Sequence, residues 1–384
     1  MEAYIVDAVR TPRAKRKGKF SGTHPVDLLT CPLRAVVDRN GLAPESIEDV
    51  LIGCVTQTAE QSWCIARSAI LASGWPISIP GTTINRLCGS GQQAINFAAQ
   101  GIKAEHYNLV LAGGIEHMTR VPMFSDAGGE ESPLLKHYHP DLVQQGLSAE
   151  IMADTFKLTR EDLDRFALQS QQRAGLARSN NRFVKSIIPV HYRAEDGSPA
   201  FLDQDDNIRP DTTIEALSGL KLAFKENGKI TAGNASAIVD GAASVLLASE
   251  TALKTHGLTA RARIVAMEQI GSDPLIMLTG PIEASRQVLK RASLKVQDID
   301  LWEINEAFAP VPLATIKELG LDPSIVNVNG GGISLGHPLG ATGAMLIGMA
   351  LDELELRNKR YALVTMCIGL GMGIATIIEN LSTK

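Results

Sequence analysis

A glycine-containing turn that opens a helix occurs twice in this chain, as Leu87-Cys88-Gly89-Ser90-Gly91 and as Gly336-His337-Pro338-Leu339-Gly340. Each copy stands inside the same order of strand-like and helix-like segments. The first runs from a strand pattern over residues 3–9, through an amphipathic helix over 24–40 ended by Gly41, to a strand over 47–55. The turn at Cys88 and its helix follow, then a short apolar strand at 109–112 closed by Gly113-Gly114. The second has a strand at 263–270, a helix at 282–292, a strand at 300–304, the turn at His337, and a last strand at 362–369. Residues 44–49 lead into one strand much as 296–299 lead into its counterpart. Hydrophobic spacing that switches between two and 3.6 residues marks strands alternating with helices. That alternation predicts a mostly parallel sheet covered by helices. The shared order predicts a duplicated α/β unit rather than two unrelated α/β domains.

Residues 115–240 break the pattern. They are polar, with a charged loop at 128–145, helix patterns at 148–156 and 160–180, and a loop-rich tract at 189–210. Thr159 reads as an N-cap, with Glu161 and Asp162 in the first helical turn. Residues 235–248 return to small and apolar character. The expected division is 1–114 plus about 241–250 as one half, about 115–240 as an inserted loop region, and 251–384 as the other half.

Composition excludes several functions. At 384 residues, 45% hydrophobic and 21% charged, the chain can bury a large core in more than one unit. Aromatics are 4% and the net charge is −5, without a basic stripe, so neither nucleic-acid binding nor electrostatic docking on a membrane is expected. No apolar run approaches a membrane span, and the first residues lack the features of a targeting peptide. The five cysteines are odd in number and scattered, which indicates neither a disulfide framework nor a zinc site. A reducing, cytoplasmic location fits.

Cys88 is the first candidate for chemistry. A thiol at a helix N-terminus is placed where the dipole favours thiolate, and neighbouring glycines let amides approach an oxyanion. The alternative is a small buried cysteine in a tight turn, the reading given to Cys31, Cys54 and Cys64. His337, bracketed by glycines, can serve as a general base toward a thiol. The alternatives there are a loop cap or a phosphate-binding glycine run at 330–336. Cys367 follows a strand, at the end where open α/β sheets place their sites, and a second thiol suits proton transfer at carbon. Asn305 can donate a hydrogen bond and Glu306 could support the histidine.

Assembled in this order, the residues resemble those of the thiolases. The Cys88 turn is similar to the family's nucleophile motif, Asn305-Glu306-Ala307-Phe308 to its Asn-Glu-Ala-Phe, Gly336-His337-Pro338 to its Gly-His-Pro, and Cys367-Ile368-Gly369 to its Cys-x-Gly. Residues 231–236, Thr-Ala-Gly-Asn-Ala-Ser, resemble the segment that touches coenzyme A. The resemblance implies two similar α/β halves, packed as layered sheets and helices, with a loop domain inserted in the first. It implies a ping-pong acyltransferase in which Cys88, activated by His337, takes the acyl group of a 3-ketoacyl-CoA. Cys367 then protonates the departing acetyl-CoA carbanion. Amides of Cys88 and Gly369 would form one oxyanion hole, and His337 with an Asn305-held water the other. It places Arg209, Ser236, Ala307 and Phe308 at coenzyme A. It implies coenzyme A as co-substrate, no metal or redox cofactor, and a homodimer or homotetramer. Gly332 and Ser334 stand where the family often has Ala, and Ala237 and Val239 replace a common Gly and Asn. Gln145 to Glu150 replace a motif of the short-chain biosynthetic branch, which favours a degradative enzyme, with a likeness to the sterol side-chain subgroup. A ketoacyl synthase would need a second histidine where Cys367 stands. A nicotinamide oxidoreductase would rest only on the glycine run, and a non-catalytic acyl-CoA binder would not need the Cys88, His337 and Cys367 set.

Overall fold

Strands and helices follow one scheme twice in the computed structural model, which describes residues 1–130, 132–194 and 196–382. The first copy comprises β1 (Tyr4–Arg10), α1 (Pro25–Arg39), β2 (Asp49–Gly53), α2 (Ile65–Ala72), β3 (Gly81–Ile84), α3 (Ser90–Lys103) and β4 (Leu109–His117). After an excursion that contains α4 (Gln145–Thr155) and α5 (Arg160–Ser179), β5 (Val239–Ala248) completes it. The second copy is β6 (Ala262–Gly271), α6 (Gly280–Ala292), β7 (Leu301–Ile304), α7 (Pro310–Leu319), α8 (Leu339–Arg357), β8 (Tyr361–Ile368) and β9 (Met372–Asn380).

The strands form one sheet in the order β7-β8-β9-β6-β1-β5-β4-β2-β3, with Ala14–Lys15 paired to β5. The first copy contributes β1-β5-β4-β2-β3. The second contributes β6-β9-β8-β7, with Val326 bridged in parallel to Trp302 where β3 would lie. Pairing directions agree position by position: β2·β4 and β7·β8 are parallel, while β4·β5, β8·β9, β1·β5 and β6·β9 are antiparallel. The copies join through β1 and β6, where Tyr4 faces Arg263 and Ile5 faces Ala262. The duplicated α/β fold expected from the sequence is therefore present.

The expectation of a mostly parallel sheet is not met. Each copy ends with a strand that returns antiparallel beside the one before it, a pairing that needs no helix to carry the chain across. In the second copy the link between β8 and β9 is only residues 369–371; in the first, residues 118–238 occupy the same link. The loop region is thus a lengthened hairpin connection. It contains α4, α5 and a small hairpin of Val190–Arg193 with Pro199–Leu202 inside the tract read as loop. Thr159 caps α5 in a capping box with Asp162. A buried bidentate pair, Arg10 with Asp205 at 2.7 and 2.8 Å, ties the excursion to β1.

Helix positions follow from hydrophobic spacing. In α1, Leu28, Leu29, Leu33, Val36 and Val37 are buried on one stripe, so α1 lies outside the sheet. By contrast α8 is apolar nearly all round from Leu339 to Leu354 and packs in the centre against α3 and the sheet.

Candidate functional site

The Cys88 and His337 turns hold the same place in the two copies. Cys88 lies two residues ahead of Ser90, the first residue of α3, and His337 two ahead of Leu339, the first of α8. Three residues beyond each is a glycine, and these glycines touch. A Cβ on Gly91 would sit 2.4 Å from the Gly340 carbonyl oxygen. Helix starts approach this closely only where side chains are missing. Contact between the first turns of α3 and α8 brings the two loops to one place.

Cys88 is 6% exposed and borders a cavity of about 650 Å³. Burial raises its pKa; hydrogen bonds from the Gln145 side chain and the Gly369 backbone N–H oppose this without overcoming it. Loss of water works against the thiolate that the helix start favours, so deprotonation calls for a base. Cys367 closes β8 at 1% exposure. Burial first, and then the nearby Cys88, push its thiol far up, so it keeps its proton.

His337 is 4% exposed, and burial first, then the Arg13 charge, lower its pKa to about 3. It is a neutral imidazole. Asn305 Nδ2 lies 3.3 Å from Nε2, and Thr342 Oγ1 lies 2.6 Å from Nδ1. An amide nitrogen only donates, so Nε2 is the acceptor and Nδ1 carries the hydrogen given to Thr342. Asn305 follows β7, and its backbone N–H donates to Thr365 O at 3.0 Å, two residues before Cys367. Asn305, the partner of the base, and the second thiol therefore sit at the ends of neighbouring strands.

Glu306 does not support His337. Its carboxylate accepts from Ser170 Oγ at 2.6 Å, Asn327 Nδ2 at 3.0 Å and Ile333 N at 3.1 Å. It fastens the glycine run, and a Cβ on Gly331 would meet its side chain at 2.4 Å. An internal carboxylate thus takes an amide that a dinucleotide phosphate would need, which removes the reading of residues 330–336 as a phosphate loop.

Ser236, Ala307 and Phe308 form a second group. Ser236 N–H donates to Ala307 O at 2.9 Å, and Ala235 bridges Phe308. Phe308 meets Phe224 edge-on with centroids 5.9 Å apart, and Phe224 packs on Gly146, next to Gln145. They are not among the residues that line the Cys88 cavity, which Gln145 does line. Arg209 is exposed and also outside that cavity, its backbone N–H donating to Gln171 of α5 at 2.8 Å. Of the remaining cysteines, Cys54 is buried and Cys31 partly so. Cys64 is exposed, against expectation, because it caps the start of α2.

Several site residues were not singled out from sequence. Thr342 is a polar residue with no local signature, and Gln145 stands out only as the start of the stretch that replaces a short-chain motif, with no role at sulfur assigned to it. Glu116 ends β4 and accepts from Val55 N, Thr56 N, Gln61 Nε2 and Gly340 N at 2.9–3.1 Å, tying the cavity wall to the first turn of α8. Leu87, Phe124 and Leu370 all border the Cys88 cavity with left-handed φ of 45°, 70° and 64°. Bulky residues rarely accept this conformation, and such strain collects at working sites. Among the described residues, no cluster of His, Cys, Asp and Glu could hold a metal ion, and no helix is long and apolar enough to cross a membrane.

Family models describing the thiolase N-terminal and C-terminal domains match residues 3–251 and 258–380. The chain belongs to the thiolase family. Beta-ketoadipyl-CoA thiolase of Escherichia coli is 46% identical to this thiolase, with 99% of each chain covered. Steroid 3-ketoacyl-CoA thiolase FadA6 of Mycobacterium tuberculosis is 43% identical, over 99% of this chain and 94% of the relative. The crystal structure of human mitochondrial 3-ketoacyl-CoA thiolase superposes with a TM-score of 0.90 at 39% identity, covering 99% of both chains. As a thiolase the protein is an acyltransferase acting on acyl-CoA and CoA.

Proposed function

We propose that this thiolase cleaves 3-ketoacyl-CoA with CoA to acetyl-CoA and a shortened acyl-CoA, through an acyl group carried on Cys88. His337 Nε2 takes the thiol proton as sulfur attacks the 3-keto carbonyl. The bond between carbons 2 and 3 breaks, the acyl group stays on Cys88, and the Cys367 thiol gives its proton to carbon 2 of the departing acetyl-CoA. The Cys367 thiolate then takes the proton of an incoming CoA thiol. That thiolate attacks the acyl-enzyme and releases Cys88, whose sulfur takes back the proton held on His337. The observation that carries this reading is the Cys88 sulfur facing the Gly369 N–H beside a protonated Cys367. A thiol that holds its proton at neutral pH is suited to quench a carbanion. Asn305 Oδ1 is buried without a protein partner among the described residues, which suits a bound water at the oxyanion.

Coenzyme A is the co-substrate, with no resident metal or redox cofactor. Its pantetheine runs past Ser236, Ala307 and Phe308, and Arg209 receives the nucleotide end. The acyl group is a fatty or sterol side chain undergoing β-oxidation, in the cytoplasm, and the enzyme works as a homodimer or homotetramer. The steroid-named relative and the apolar wall at Val55, Met123, Val143 and Met277 support this. A chain-length series of 3-ketoacyl-CoA substrates, including a sterol-derived one, tests it. Turnover should extend well beyond acetoacetyl-CoA, with the matching acyl mass on the Cys88 peptide. Turnover confined to acetoacetyl-CoA would overturn the degradative reading.

A further inference from the structure

The thiolysis reading leaves open which end groups an acyl chain may carry. Resting on that reading, we propose that Asp126 makes the acyl cavity selective for neutral chains over chains that end in a carboxylate. The wall around Cys88 is built from Leu87, Phe124, Val143, Met277, Leu339 and Leu370, with few polar groups among them. Among the described residues that line it, Asp126 alone is charged, and neither lysine, arginine nor histidine joins it. No ion pair neutralises Asp126 among the described residues. It is exposed at the rim, two residues after the strained Phe124.

A carboxylate brought into this cavity would lose water against an apolar wall, with no cation to receive it. On the way it would pass a like charge, and like-charge juxtaposition is a common means of rejecting a wrong partner. A hydrocarbon chain meets neither obstacle. The contrast is with relatives whose name, beta-ketoadipyl-CoA thiolase, denotes an acid-ended acyl group. Overall likeness to them does not carry that preference over, because selection rests on the groups that line the cavity and its rim.

The test uses two substrates of equal chain length, 3-oxohexanoyl-CoA and 3-oxoadipyl-CoA, with kcat/KM measured on the intact enzyme. The parent should favour the neutral substrate by about tenfold or more. In Asp126→Asn the neutral-to-acid ratio should fall by about fivefold, the effect of a unit charge pair near 4 Å in a watery rim. In Asp126→Lys it should fall further, and the fall should shrink as salt is raised. A parent that cleaves 3-oxoadipyl-CoA as well as 3-oxohexanoyl-CoA would overturn the proposal. A ratio unmoved in both variants would do the same, because a purely structural role shifts both substrates together. If neither substrate leaves an acyl mass on Cys88, the thiolysis reading itself falls, and this inference with it.

Discussion

Cys88 and His337 occupy equivalent positions in two copies of one α/β unit, each two residues before a central helix, and Gly91 packed on Gly340 brings the copies together. The duplicated unit offers two similar scaffolds, and different side chains at the shared position supply a nucleophile and a base.

The two thiols should separate in function. Cys88→Ser should form no acyl-enzyme, because a hydroxyl is a far weaker nucleophile at neutral pH. Cys367→Ala should still acylate from acetyl-CoA, yet lose hydrogen exchange at carbon 2. Intact-mass measurement after acetoacetyl-CoA and deuterium exchange into acetyl-CoA read the two effects. Normal exchange in Cys367→Ala would remove its role. Truncating the buried thiol should cost only about 1–2 kcal/mol, so the variant should fold.

Thr342→Val should slow the enzyme without unfolding it. Thr342 accepts from Nδ1 of His337 and so keeps the lone pair on Nε2. The near-isosteric valine leaves that N–H unpaired at a cost of about 1–3 kcal/mol. A fall in kcat of about 10- to 100-fold, with KM little changed, is expected from steady-state kinetics. Thr342→Ser should recover most of the rate. A variant with parental kcat would show that the imidazole needs no such partner.

His337 should make stability depend on pH. Its folded pKa of about 3 lies below the ordinary 6.5, so the unfolded chain takes up a proton that the folded chain refuses. Stability from this group is complete above about pH 6.5 and is lost as pH falls toward 3, by up to about 1.4 kcal/mol per unit. Buried Glu303, Glu306 and Glu116 have raised pKa values and act in the opposite sense. The comparison must therefore be between the parent and His337→Asn. Urea unfolding between about pH 4 and 7 should give the parent the steeper loss toward acid. Parallel curves would show that His337 titrates normally.

Glu116→Gln should destabilise the chain although it keeps the shape. Four N–H donors converge on that carboxylate, including Gly340 N and Thr56 N. An amide replaces an acceptor with a donor facing donors, at a cost of about 2–4 kcal/mol. Urea denaturation checks this, and a change below about 0.5 kcal/mol would mean the network relaxes freely. Activity should fall as well, because Gly340 lies three residues after His337.

Much of the site could be read in order along the chain. Cys88, His337, Asn305 and Cys367 stand in short motifs whose neighbours, mostly glycines, are fixed by backbone geometry and so visible as sequence. The strand and helix order was visible too, because hydrophobic spacing repeats locally. The direction of strand pairing was not, since alternation suggests crossovers, while β8 and β9 connect through a short turn. The partner of Glu306 was misread because adjacency to Asn305 says nothing about where its side chain turns. It faces Ser170 and Ile333 instead.

The sequence by itself determined the repeated unit, the reacting side chains and the turns that carry them, all properties of a residue and its near neighbours. Tertiary structure alone decided the protonation states. Burial keeps Cys88 and Cys367 as thiols and His337 neutral, and desolvation depends on everything packed around a group. It also decided the bond from Thr342 to His337, the Gln145 and Gly369 contacts at sulfur, and the lone Asp126 at the cavity rim. The contacts at sulfur join residues far apart in the chain, and the His337–Thr342 bond, though it spans only five residues, depends on how the ring is turned by the packing around it.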